Sequence, residues 1–85
     1  MTSLLDASHA AMAQMSQLVG ATAEAVSELE RAEGGMRMHV EVVEVPRIPP
    51  TTSILASYEV ETDEAGNVLA YRRFRRYTRS EVGSQ

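Results

Sequence analysis

The chain contains no cysteine, no lysine and no tryptophan, and its aromatic residues are one phenylalanine and three tyrosines. Without cysteine there is no disulfide framework, no thiolate metal site and no cysteine nucleophile, and nothing in the composition signals an oxidising compartment. No apolar run approaches the ~18–20 residues that span a bilayer, and the first residues lack the basic and apolar regions of a secretory signal, so a cytoplasmic protein is expected. The 85 residues suit one small domain, which buries only about 60–65% of its unfolded surface. A net charge of −4 disfavours a polybasic nucleic-acid or membrane-surface protein. All eight basic residues are arginine, five of them (Arg72, Arg73, Arg75, Arg76, Arg79) within eight positions, whereas eleven of the twelve acids precede Gly66.

What is present divides the chain near Gly34-Gly35. Before it lie many good helix formers and no proline. Ser3 followed by Asp6 resembles a helix cap, and Leu5, Met12, Val19 and Val26 recur every seven residues beside Leu4, Ala11, Leu18 and Ala25. The spacing predicts two helices, 3–18 and 22–33, or one helix bent at Gly20, forming a helical arm over residues 1–34. An unbroken arm of 30 residues would be about 45 Å long. Its overhanging apolar stripe then offers a contact for a second copy of the chain.

After the glycines the period becomes two. Met36, Met38, Val40 and Val42 alternate with Arg37, His39, Glu41 and Val43 in a first strand that stops at Pro46, with a bulge suggested at Val42-Val43. Pro46-Arg-Ile-Pro-Pro50 cannot lie inside a sheet, and Thr51, Thr52 or Ser53 can cap a helical turn through Leu55 and Ala56 before a second strand, 57–62. Asp63-Glu-Ala-Gly66 reads as a hairpin turn, with Gly66 at a positive φ. Pairing Thr62 with Asn67 sets Val60 against Leu69 and Tyr58 against Tyr71. The third strand, about 67–79, reaches past its partner to the first and occupies the centre. The expected fold is α+β: a helical arm on a three-stranded antiparallel sheet (35–80) with a Pro-rich crossover, and a disordered tail at 81–85.

Tyr71-Arg-Arg-Phe-Arg-Arg-Tyr-Thr-Arg79 is the sharpest local signal. Arginine interleaved with aromatics can clamp phosphates and stack on bases, which keeps a nucleic-acid-binding regulator open as an alternative. On a strand, however, these arginines divide between two faces and suit bidentate pairing with neighbouring glutamates or an acidic protein partner. An enzyme is not expected. His9 and His39 have no second ligand at metal spacing, Glu41 and Glu44 face opposite sides of a strand, and Thr51, Thr52 and Ser53 lack a base. Gly34-Gly35 lacks the Lys and Ser/Thr of a phosphate loop. Met12, Met15, Met36 and Met38 fit either an adaptable partner surface or the core.

Taken together, Val40-Glu-Val-Val-Glu-Val45, Arg47-Ile-Pro49, Leu55-Ala56, Tyr58-Glu-Val60, Asp63 with Gly66, and the 71–79 segment resemble the gas vesicle protein O (GvpO) family, over about Leu18 to Arg79. The chain has Met36 where members often carry tryptophan. The resemblance implies a non-catalytic accessory protein, without cofactor, needed to form the gas-filled protein shells that give cells buoyancy. It implies other gas vesicle proteins as partners: the ATPase accessory protein (GvpN) and the shell protein. Beside that resemblance, Arg72, Arg73, Arg75, Arg76, Arg79, Tyr71, Tyr77, Met12 and Met15 are the candidate partner-binding residues, and a minor structural component of the vesicle is the other alternative.

Overall fold

Ser3 opens the helix in the computed structural model, which describes residues 3–80: its Oγ accepts from the Asp6 amide at 3.0 Å, so an otherwise orphaned donor is satisfied. Helix α1 covers Leu4–Val19 and ends at Gly20, whose φ of +67° supplies the left-handed C-terminal turn. The arm stops there. Instead of a second helix, Thr22–Ala32 forms strand β1, and Ser16 Oγ accepts from the Ala23 amide at 2.9 Å where the chain reverses. The cause of the difference lies in two β-bulges, at Glu24 and Ser27. Each inserts one residue into the alternation, so the half-buried positions Ala23, Val26 and Leu29 recur every three residues, a spacing that imitates a helix in the sequence.

Strand β2 is Gly35–Val45, β3 is Ile54–Asp63 and β4 is Val68–Thr78. The four form one antiparallel sheet in the order β1-β2-β3-β4. The sheet therefore has four strands, not three, and the arginine-bearing strand lies at an edge, not in the centre, because β1 takes the place beside β2. The Pro-rich segment joins neighbouring strands and is not a crossover. Its helical turn comes earlier than expected, at Pro50–Thr52, and Leu55 and Ala56 already belong to β3. Ser53 Oγ accepts from the Arg47 amide at 3.0 Å and closes this loop. The tail at 81–85 lies outside the described residues.

Between its two bulges, over Ala70 to Arg73, the β3–β4 hairpin keeps its expected faces in a shifted register, whereas Val68 turns to the core face. Val60 lies opposite Tyr71 and Tyr58 opposite Arg73, two residues from the expected pairing. A slip of two preserves which side chains share a face, so the hydrophobic pattern cannot separate the registers. The slip accumulates at the turn and at Leu69, which is bulged out; a second bulge isolates Phe74. In the turn, Asp63 accepts from the Ala65 and Asn67 amides, and Gly66 has φ +89° as expected. A Cβ on Gly66 would lie 2.4 Å from the Ala7 carbonyl oxygen, so the missing side chain also lets the hairpin abut α1. Gln14 fastens that contact, accepting from the Val68 amide at 2.9 Å and donating to the Gly66 carbonyl at 3.4 Å.

One face of the sheet carries Met36, Met38, Val40 and Val42 of β2 and Ala56, Tyr58 and Val60 of β3, all buried. Helix α1 lies on this inner face through Ala7, Ala11 and Met15, each fully buried, the alanines allowing close approach. The opposite, outer face is polar. There Arg37, His39 and Glu41 lie across from Glu61, Glu59 and Ser57.

Candidate functional site

Successive residues of β4 point to opposite faces, and the Phe74 bulge shifts the alternation once. Tyr71, Arg73 and Arg76 fall on the inner face opposite Val60, Tyr58 and Ala56; Arg72, Arg75 and Tyr77 fall on the outer face opposite Glu59, Ser57 and Leu55. The bulge at Glu44 in β2 lets its carboxylate reach over small Ala56 to both inner arginines: Arg73 Nη1 at 3.1 Å and Arg76 Nε at 3.2 Å. The Tyr58 hydroxyl donates to the same carboxylate at 2.9 Å, and burial, followed by this bond and charge, pushes the Tyr58 pKa up. Tyr71 packs on Tyr58 with ring centroids 6.2 Å apart.

On the outer face a charged row crosses all four strands. Glu28 lies 3.2 Å from His39, His39 lies 3.9 Å from Glu59, and Arg72 Nε lies 3.4 Å from Glu59. Phe74 packs against His39, with ring centroids 4.8 Å apart. One row further, Glu41 accepts hydroxyls from three other strands: Ser27 at 2.6 Å, Ser57 at 2.5 Å and Tyr77 at 2.7 Å. The guanidinium carbon of Arg75 lies 4.5 Å from the Tyr77 ring centroid. At the end of the sheet Arg79 clasps Glu24 with two bonds, 2.6 and 3.3 Å, and so ties the two edges together.

The sheet thus brings together seven of the nine candidate residues: Arg72, Arg73, Arg75 and Arg76 with Tyr71 and Tyr77 on β4, and Arg79 just past it. It does not bring the methionines to them. Met15 is fully buried beneath α1 and so is core, not contact surface; Met12 is half-buried against the same core. The exposed large apolar residues of α1 are Leu4, Leu5 and Leu18 instead. At 16 residues the helix is about 24 Å long, so there is no long overhang to pair with a second arm. Sequence reasoning missed Phe74, 43% exposed at a bulge, although its place among the arginines was a usable signal. Among the described residues no three metal-ligating side chains converge.

Glu41 supports the site and is testable. Burial alone would raise its pKa, but the hydroxyls of Ser27, Ser57 and Tyr77 and the charge of Arg75 outweigh it and hold the carboxyl below its ordinary value. That stabilisation is complete above the ordinary carboxylate range and is lost as pH falls through the folded-state pKa. Tyr77 shows the opposite sign: burial, then the bond to Glu41 and its charge, push the phenol up to about 12 from 10.0. Its contribution is present below pH 10 and is lost as pH rises through about 12. Thermal melting against pH should therefore show an alkaline loss that Tyr77→Phe reduces. Glu41→Ala, which orphans the hydroxyls, should cost about 1–3 kcal/mol in urea unfolding at neutral pH.

The comparisons agree with the earlier resemblance and extend it toward both termini. The family model described as gas vesicle synthesis protein GvpO matches residues 1–83. Gas vesicle protein O of a Streptomyces species is 54% identical over 69 residues, covering 81% of this chain and 54% of that relative. Gas vesicle protein O of Haloferax mediterranei is 34% identical over 80 residues, covering 93% of this chain and 57% of that relative. The chain spans about half the length of these curated relatives. No solved structure matches. Among the described residues no helix is long and apolar enough to cross a membrane. With a family match running through nearly its whole length, the chain belongs to the gas vesicle synthesis protein GvpO family.

Proposed function

We propose that this chain is a non-enzymatic assembly factor for gas vesicles, acting in the cytoplasm by docking other gas vesicle proteins on the β4 edge. The observation that carries the reading is the character of that edge. Strand β4 is almost wholly exposed, has a neighbour on one side only among the described residues, and combines four arginines with Tyr71 and Phe74, each 43% exposed. Arginine and tyrosine are the residues that concentrate binding energy in protein interfaces. Two of the arginines share the single carboxylate of Glu44, so the edge keeps surplus positive charge on a chain whose total is −4. Its complement is an acidic element with apolar side chains. The ATPase accessory protein GvpN and the shell protein are the partners to test, and docking would keep aggregation-prone shell subunits from associating too early.

Nucleic acid fits less well, because the arginines are divided between two faces and the net charge opposes the field such binding needs. Deletion of the gene in its host, followed by microscopy, tests the proposal. Loss of vesicles, restored by the wild-type chain, supports it; normal vesicles in the deletion strain overturn it. A permanent shell component would instead remain on isolated vesicles after stringent washing.

A further inference from the structure

We infer that the two free edges of the sheet bind one another, β4 of one copy pairing with β1 of the next, head to tail, so that the protein self-associates into an open-ended ribbon. The strands alternate in direction, so β1 of an identically oriented neighbour runs antiparallel to β4 and continues the same sheet. The outer-face row Glu28–His39–Glu59–Arg72 alternates in charge type when His39 is protonated, and it ends on a cation at one edge and an anion at the other. Continued in register, it sets Arg72 beside Glu28 of the second copy. Both side chains project into solvent, Arg72 70% and Glu28 72% exposed. On the inner face the same register sets half-exposed Tyr71 beside Leu29 of the second copy, which closes an apolar contact.

Like-with-like pairing is opposed. Two β4 edges would oppose arginines, and two β1 edges would oppose the glutamates at 24, 28 and 30. Charge therefore selects the heterologous arrangement, which does not close into a dimer. The bulges limit its extent. Between Leu69 and Phe74 on β4, and beyond Ser27 on β1, regular pairing remains at the same level of the sheet: Ala70, Tyr71 and Arg72 on one edge, Glu30, Leu29 and Glu28 on the other. At the opposite end the Arg79–Glu24 clasp already occupies both edges. A ladder of three residues is short enough to remain reversible.

The test is the mass distribution of the purified 85-residue chain by analytical ultracentrifugation, from about 10 µM to about 1 mM. The mean mass should climb with concentration without a plateau at the dimer, and should fall as salt is raised. Glu28→Arg and Arg72→Glu should each weaken association about tenfold, since each turns an attraction at the junction into a repulsion. An equimolar mixture of the two variants should regain it, because each then meets an opposite charge on the other. A monomer throughout, a plateau at the dimer, or a mixture that associates no better than either variant alone overturns the inference. Both positions are exposed, and an unchanged circular-dichroism spectrum shows that each variant is folded.

Discussion

Gly35→Ala should destabilise the protein by at least about 3 kcal/mol and is expected to leave little folded chain at 37 °C, read as a drop in the urea midpoint. A Cβ built at Gly35 lies 1.8 Å from the Thr62 carbonyl oxygen and 2.9 Å from the Asp63 Cα. Both are backbone atoms of the adjacent strand, so no side-chain rotation relieves the contact, and β2 and β3 would have to separate where Gly35 pairs with Asp63. Gly34, its neighbour, offers a control. It has φ +79° but nothing within 4 Å of a built Cβ, so Gly34→Ala meets only the cost of a left-handed backbone, about 1 kcal/mol. A Gly35→Ala variant as stable as Gly34→Ala would contradict the close approach of β2 and β3.

The second large effect concerns function. Arg72→Gln with Arg75→Gln should weaken docking by about 100-fold, as expected for two arginines at the centre of an interface, and should strip vesicles from a complemented deletion strain. These two are the better choice because their side chains project from the outer face, whereas Arg73 and Arg76 are both tied to Glu44 and their loss would strand a carboxylate. The melting temperature should change by only a few degrees, since exposed ion pairs contribute about 0–1 kcal/mol. Glu28→Arg, which leaves β4 intact, should retain docking while weakening self-association, and so separates the two properties.

Much of this was legible in the chain. The Ser3 cap and the alternation of Met36, Met38, Val40 and Val42 follow local periodicity, and the structure keeps them, whereas the helix buries Ala7, Ala11 and Met15 and leaves Leu4, Leu5 and Leu18 of the expected stripe exposed. Gly66 at positive φ follows from turn chemistry. Most of what failed in the sheet has one physical source. Bulges change the period of a strand without changing its composition, and those at Glu24 and Ser27 gave β1 the three-residue spacing of a helix face. Once β1 is read as a helix, β2 lacks a neighbour, and the arginine strand is drawn into the centre to supply one. The same effect hid part of the site. Bulges at Glu44 and Phe74 bring a carboxylate to two arginines on a non-adjacent strand and set an aromatic ring against His39, neither of which follows from regular alternation. Charge segregation survives in altered form: the acids of β1, β2 and β3 do pair with arginines, but the arginine strand has carboxylates on one flank only.

The free flank is the central claim, and co-purification tests it most directly. The tagged wild-type chain and its Arg72→Gln/Arg75→Gln variant are each co-expressed with the ATPase accessory protein and the shell protein, and recovery is quantified on the same resin. The account predicts that wild type retains at least one of these proteins and that the variant loses it while remaining folded. Equal recovery by both chains, or recovery by neither, would contradict docking through the β4 edge.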